Sequence, residues 1–142
     1  MKLIAGGGVN TLDVRYRVDP NRPGIVIVTI KGLVTDAALP AFWAALESPV
    51  GAASLVSVFD FRGAVVAYRS PPRLVPGAPQ QKAGVFLASP AQYEILLRRA
   101  AQLNELGVRR GVFCSMGLAL EWAADEVRLA LAKSTTCTRA RP

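Results

Sequence analysis

The chain has 142 residues, of which 51% are hydrophobic and 19% charged, and its 17 basic and 10 acidic side chains give a net charge of +7. This composition supplies enough apolar surface for one folded domain and excludes wholesale disorder. No apolar run approaches the roughly 20 residues of a membrane-spanning helix. We therefore expect no transmembrane segment and a cytoplasmic location.

The chain contains no histidine. Histidine is the commonest metal ligand and the commonest general base, so zinc sites and Ser-His-Asp or Cys-His catalysis are excluded within this chain. Cys114 and Cys137 follow no metal-binding spacing. We expect no metal and no cofactor. The positive charge favours acidic partners, but the arginines are scattered, so no nucleic acid is expected.

The first part of the chain predicts a leader followed by a β-hairpin. Residues 1–12 contain three consecutive glycines and are expected to be flexible. Residues 13–18 alternate between apolar and charged side chains, which is typical of a half-solvated edge strand. Residues 24–34 are almost continuously apolar and β-branched, which predicts a strand buried on both faces in the middle of a sheet. The turn residues 19–24, with two prolines, join the two strands.

The next segment predicts a helix and a third strand. Thr35 and Asp36 offer an N-cap oxygen, and Pro40 suits the first helical position. Leu39, Phe42, Trp43 and Leu46 recur at helical spacing. Residues 55–61 form the third strand, and a helix crossing between parallel strands gives a right-handed βαβ unit.

The middle of the chain holds a loop and a well-marked helix. Residues 64–82 carry four prolines, which favours a surface loop over a long helix. Residues 84–88 form a short buried strand. Ser89, Pro90 and Gln92 together predict a capping box. The helix that follows ends near Gly107, and its inward side chains are expected to be Tyr93, Leu96, Leu97, Ala100 and Leu103.

The last elements are a strand over residues 108–114 and a helix capped by Ser115. Ala119, Trp122, Ala123, Val127 and Ala130 of this helix are expected to face the sheet, and Glu121, Asp125, Glu126 and Arg128 to face water. We predict a single domain over residues 13–133 and a flexible basic tail over 134–142. The fold class is α/β, on the border of α+β: a mixed sheet of about five strands in the order ββαβ-loop-βαβα, with an N-terminal β-hairpin and helices packed on the sheet.

This order and several short patterns resemble the SpoIIAA-like (STAS) superfamily, and in particular its small bacterial stand-alone members. The resemblance covers residues 13 to about 132. It rests on residues 16–18 before the second strand, on 32–34 leading into the first helix, and on 58–63 closing the third strand. The most specific pattern is an aromatic residue ending a strand, Phe113, followed by Ala119 and Trp122 in a helix. None of these patterns is catalytic.

The resemblance also predicts that one functional residue of the superfamily, a phosphorylatable serine, is absent from this chain. Anti-sigma factor antagonists of the superfamily carry a phosphorylatable serine at the start of the helix after the third strand. The matching residues here are Gly63, Ala64 and Val65, which have no hydroxyl, and Ser70 precedes Pro71 and is a poor match. We expect no phosphorylation site.

The candidate site residues lie near the strand ends, where open α/β sheets bind ligands. Asp60 and Arg62 either form a local ion pair or take part in binding. Arg69, Arg73, Arg109 and Arg110 could join Arg62 around the proline-rich loop and bind an anion, because guanidinium groups suit phosphate and carboxylate.

Three functions remain open at this stage. The leading hypothesis is a non-enzymatic binding or regulatory module that acts through contacts with an unidentified protein and forms a homodimer. The alternative is a carrier of a small anionic or lipid-like ligand, held between the strand ends and the 64–82 loop. The third is an enzyme that uses Asp60 or Cys114 as a lone acid, base or nucleophile.

Overall fold

A computed structural model of the chain describes residues 2–5, 12–40, 42, 54–71 and 82–139, of which 2–5 and 134–139 are described by backbone alone. Within these ranges the strands are β1 (Lys2–Ala5), β2 (Leu12–Val18), β3 (Ile25–Val34), β4 (Val56–Val66), β5 (Gly84–Leu87) and β6 (Arg110–Phe113), and the helices are α1 (Tyr93–Glu105) and α2 (Met116–Arg139). Leu39, Pro40 and Phe42 are also helical, whereas Trp43 and Leu46 of the predicted first helix lie outside the described residues.

The six strands of the described residues form one mixed sheet in the order β1-β2-β3-β4-β5-β6. Pairing is antiparallel from β1 to β3 and parallel from β3 to β6. The predicted mixed α/β fold with an N-terminal hairpin is confirmed, with one strand more than expected.

Strand β3 is buried on both faces, as the sequence predicts. Val26, Val28 and Ile30 belong to one apolar cluster, and Ile25 and Ile27 to a second. The first cluster lies on the face where Phe42 and α1 pack, and the second lies where α2 packs. We call these the first and the second face of the sheet. Right-handed crossovers between successive parallel strands place their helices on one face, which explains why α1 and Phe42 share the first.

Both ends of the chain differ from the sequence-based expectation. Lys2–Ala5 lie within the expected leader but pair with β2, and Leu12 is fully buried in β2. Helix α2 continues to Arg139, beyond the expected start of the tail at residue 134. The local composition of these segments does not predict their structure. Their backbone N–H and C=O groups are satisfied by strand pairing and by continuation of the helix, and neither can be read from composition.

Strand β4 is also longer than predicted. It was expected to end at residue 61 but runs to Val66, because β3 has ten residues and its last three pair with residues 64–66. A bulge permits this extension: Thr29 is opposite Asp60 and Lys31 is opposite Gly63, so β4 contains one extra residue there.

The helices are rotated slightly from the predicted orientation. On α1 the inward side chains are Leu96, Arg99, Ala100 and Leu103. Tyr93 and Leu97, predicted to face inward, are 37% and 47% exposed. Helical periodicity predicts how wide the apolar stripe of a helix is, but it locates the middle of that stripe less well. Apolar residues at the margin of the stripe, such as these two, can therefore lie exposed.

Helix α2 buries Ala119, Ala123 and Val127 against the second face, as predicted. Trp122 is half-buried against β6, where a Cβ at Gly111 would stand only 3.0 Å from the indole Nε1. Glu126, predicted to face water, is buried because it binds Arg109.

Candidate functional site

The carboxyl ends of the parallel strands meet at one edge of the sheet. After β3 come Thr35 and Asp36, and after β4 come residues 67–71. After β5 come residues 88–92, which lead into α1, and after β6 come Cys114 and Ser115, which lead into α2. Asp60 lies beside Leu87, the last residue of β5, although β4 itself continues to Val66. We call the surface formed by Asp36, Asp60, Arg62, Arg69, Gln92 and Arg99 the strand-end surface.

Asp60 and Arg62 form the local ion pair that the sequence suggested. The Arg62 guanidinium donates from Nε to Asp60 Oδ1 and from Nη2 to Oδ2, both at 3.0 Å. The Arg62 backbone N–H also donates to Asp60 Oδ1 at 3.0 Å. The hydrogen bonds to Asp60 raise the pKa of Arg62. This carboxylate therefore closes the β4 bulge, and its charge is already matched.

Gln92 connects that bulge to the start of α1. Its side-chain amide is buried and donates to the Phe61 carbonyl oxygen at 2.6 Å and also to that of Ala64. Its carbonyl oxygen accepts from the Ser89 backbone N–H at 3.1 Å. The last contact is the backward half of the predicted capping box. One side chain therefore binds three backbone groups, two in β4 and one at the start of α1.

Asp36 holds the start of the 64–82 loop. Its carboxylate accepts from the Arg69 backbone N–H at 3.0 Å and from the Ser70 backbone N–H at 3.0 Å. These backbone hydrogen bonds lower the pKa of Asp36. The predicted cap is made instead by Thr35, whose Oγ1 accepts from the Ala38 backbone N–H at 3.3 Å.

Arg99, which is not among the side chains predicted to face inward, supports the same loop from α1. Its guanidinium lies 4.0 Å from the centre of the Tyr68 ring and donates to the Ser70 carbonyl oxygen at 2.7 Å. Burial raises the pKa of Tyr68, and the Arg99 charge partly opposes that rise. The available sequence signal was the spacing of three from Leu96 and four from Leu103, which puts Arg99 on the buried stripe.

The predicted arginine cluster is only partly assembled. Arg62 and Arg69 are exposed at the strand-end surface, and Arg73 lies outside the described residues. Arg110 is at the start of β6, opposite Gly84 at the start of β5, and so lies toward the other edge of the sheet. The parallel strands separate Arg110 from Asp60 by three residues of register, or about 10 Å along the strand.

The contacts of Arg110 and Arg109 are structural. The Arg110 guanidinium is buried, lies 5.4 Å from the Phe59 ring centre and donates to the Lys82 carbonyl oxygen. Burial lowers its pKa to about 10, so it remains charged at neutral pH. Arg109 donates through Nε to both Glu126 carboxylate oxygens, at 2.9 and 2.8 Å. This pair fastens α2 to β6.

The remaining candidate groups do not assemble into a reactive set within the described residues. Cys114 is an exposed free thiol after β6, and the Cys137 side chain lies outside the described part. No cluster of three or more acidic or cysteine side chains suited to a metal ion occurs in the described ranges. Neither helix of the described chain combines the length and hydropathy that crossing a membrane would require.

Comparison with known proteins identifies the fold of the chain. No family model matches the chain, and no curated protein matches it significantly. An anti-sigma factor antagonist from Mycobacterium paratuberculosis superposes with a TM-score of 0.52 at 16% identity, covering 82% of this chain and 97% of that one. An uncharacterised protein with a SpoIIAA-like fold from Shewanella loihica gives a TM-score of 0.45 at 12% identity, covering 83% of this chain and 98% of that one.

The chain therefore has a SpoIIAA-like (STAS) fold, as the sequence resemblance predicted. One detail of that resemblance is corrected. Gly63, Ala64 and Val65, matched to the serine-bearing start of a helix, lie inside β4. The first residues beyond the strand are 67–70, and the Ser70 backbone N–H is bound to Asp36. The expectation of no phosphorylation site stays a prediction.

Proposed function

We propose that this protein is a non-enzymatic regulatory module that binds another protein through its strand-end surface. The observation that carries the proposal is the use of the polar side chains there. Asp36 binds the backbone of Arg69 and Ser70, Asp60 binds Arg62, and the Gln92 amide binds two backbone carbonyl groups. Groups held in this way give a fixed surface and are poorly suited to proton transfer or nucleophilic attack.

A fixed surface suits recognition, because a partner then spends little free energy on ordering it. The exposed side chains include Arg69 and the outer part of Arg62, whose side chain is 45% exposed. Both are basic, and arginine is enriched in protein interfaces. A partner with carboxylates opposite Arg69 fits this surface.

The fold adds independent support. A solved structure with the same fold is an anti-sigma factor antagonist. A protein of that class acts on another protein, which agrees with a binding role here. At 16% identity the likeness concerns the fold, so the partner of this chain has to be found by experiment.

A photo-crosslinking amino acid placed at Arg69 tests the proposal in the source cells. We expect one discrete protein adduct from position 69 and none from Glu105, an exposed control at the far end of α1. With the partner purified, Arg69→Glu is expected to weaken the binary complex about tenfold, and the exposed control Arg98→Glu to leave it within about twofold. The same adducts from both positions, or an affinity indifferent to Arg69→Glu, would contradict the proposal.

The ligand-carrier alternative stays a prediction, because Arg73 and most of the 64–82 loop lie outside the described residues. Native mass spectrometry of the purified chain separates the two functions, since a carrier is expected to retain a small molecule. We also propose a cytoplasmic location and a homodimer, and sedimentation at micromolar concentration tests the latter.

A further inference from the structure

Within the described part of the chain, half of one sheet face has no covering helix. The first face is packed by Phe42 and α1. The second is packed by α2, whose contacts extend over β4, β5 and β6, and whose apolar cluster includes Ile25 and Ile27 of β3. Beyond Ile27, the second face of β2, the later part of β3 and the end of β4 remain uncovered within the described residues.

This uncovered area is basic with an apolar margin. Alternation along the strands assigns its residues, and we call them together the open sheet face: Asp13, Arg15, Arg17, Thr29, Lys31, Leu33, Asp60 and Val65. Arg15, Arg17 and Lys31 are exposed, and Val65 is 63% exposed although valine usually packs in cores. Leu33 lies beside Val65 in the paired strands.

The positive charge of this face is only partly balanced. Asp13 Oδ1 lies 3.5 Å from Arg15 Nε, and Asp60 is bound by Arg62. Neither Arg17 nor Lys31 has an ion-pair partner among the described residues. Solvated sheet faces usually place opposite charges on neighbouring positions, because like charges there are unfavourable. The open sheet face does so at Arg15, beside Asp13, and at Lys31, directly opposite Asp13 in the paired strands. Arg17 lies opposite Ile27 and has no acidic residue across from it.

The space above this face has the width of one helix. Trp122 and Glu126 mark the flank of α2 that contacts β6. Leu120 and Ala124 lie two residues from Trp122, so helical periodicity puts them on the opposite flank, toward β3, where both are half-buried. Strand β2 lies two strands from β4, about 10 Å, which is the spacing at which a second helix packs beside the first.

We propose that the open sheet face binds an amphipathic helix of a partner protein, whose carboxylates face Arg17 and Lys31 and whose apolar side chains contact Leu33 and Val65. Nucleic acid fits less well, because no described side chain of this face is aromatic and bases need stacking partners. A second copy of the chain fits less well, because two such faces would oppose like charges. This surface adjoins the strand-end surface at Asp60, which lies opposite Thr29, but its occupation does not depend on the function proposed there.

The test uses a synthetic 20-residue amphipathic helix with glutamate along its polar face. We expect it to bind the full chain in 50 mM salt, weaken at 300 mM salt and shift the NMR signals of β2 and β3. Arg17→Glu with Lys31→Glu should weaken binding at least about tenfold. Arg98→Glu with Lys133→Glu makes the same charge change on exposed helix positions and should leave the affinity within about twofold.

Three results would overturn this assignment. The first is no binding of the peptide, or equal weakening by both double variants. The second is tighter binding of a 20-nucleotide RNA or DNA strand with the same NMR footprint. The third is a dimer, observed by sedimentation, that dissociates when Arg17→Glu and Lys31→Glu are combined. This result would mean that a second copy of the chain occupies the face.

Discussion

Four arginine side chains of this protein have four different roles. Arg62 closes a bulge, Arg99 supports a loop, and Arg109 fastens a helix. Arg17 has an exposed side chain on a sheet face without a covering helix among the described residues. The same guanidinium group is structural or available for binding according to whether the fold surrounds it with acceptors. Charge counts therefore say little about function until each side chain has been located.

Arg99 offers a direct test at this scale. Arg99→Met keeps an apolar stem but removes the bond to the Ser70 carbonyl oxygen and the contact with Tyr68. We expect a loss of about 2 kcal/mol in the free energy of unfolding, because a buried charge-assisted hydrogen bond is removed. The pKa of Tyr68 should rise further, since the nearby cation no longer favours the tyrosinate. Chemical denaturation and NMR titration measure the two effects.

The adjacent Arg98 supplies the control, because it lies on the exposed side of the same helix. Arg98→Met should change the free energy of unfolding by less than about 0.5 kcal/mol. Equal losses from the two substitutions would mean that Arg99 contributes only to the helix and does not hold the loop.

At the scale of elements, the long β4 depends on a bulge and on one side chain that satisfies it. The bulge lets residues 64–66 pair with the end of β3, and Gln92 donates to the carbonyl oxygens on either side. The strand, the bulge and the start of α1 therefore form one connected unit. We expect a substitution that destabilises one of these three parts to destabilise the other two.

Gln92→Glu tests this connection. The substitution removes both N–H donors and places a carboxylate against the Phe61 and Ala64 carbonyl oxygens. A negative charge at a helix start gains only a few tenths of a kcal/mol to about 1 kcal/mol, so the unsatisfied carbonyl groups dominate. We expect a loss of about 3 kcal/mol in the free energy of unfolding. Amide hydrogen exchange at residues 32–34 and 64–66 should accelerate together.

Gln102→Glu makes the same chemical change at an exposed position of α1. It should alter stability by less than about 0.5 kcal/mol and leave exchange in β4 unchanged. Faster exchange in α1 alone after Gln92→Glu would show that the strand and the helix are not coupled through this side chain.

At the scale of the whole molecule, two carboxylates link stability to pH. Hydrogen bonds from the Asn21 backbone lower the pKa of Asp19, and those from Arg69 and Ser70 lower the pKa of Asp36. Each group has its ordinary value of 3.8 in the unfolded chain. The folded state therefore binds fewer protons, so this contribution is present above that value and is lost as the pH falls through the folded pKa.

We expect the free energy of unfolding to fall as the pH drops from about 5 to about 2. Asp36→Asn should be less stable than the natural chain at pH 7, and the difference should shrink toward acid, because the native carboxylate loses its advantage on protonation. Urea denaturation at a series of pH values measures both curves. A difference that is the same at pH 7 and pH 3 would exclude Asp36 as a source of the pH dependence.

The amino-acid sequence by itself determined the features that depend on local chemistry. The β-branched run predicted β3 in the middle of a mixed sheet, and Ser89, Pro90 and Gln92 predicted the start of α1. These inferences hold because side-chain branching, capping groups and residue types act within a few positions of the chain.

Only the tertiary structure decided the rest. It extended β4 to Val66, turned Arg99 inward, buried Glu126 against Arg109, and set Arg110 away from Asp60. It also left Arg17 and Lys31 on a sheet face that no described helix covers. Each of these outcomes depends on which strand lies opposite and which helix packs above. Such contacts join residues far apart in the chain, and their energies of pairing and burial exceed the local preferences that a sequence pattern records.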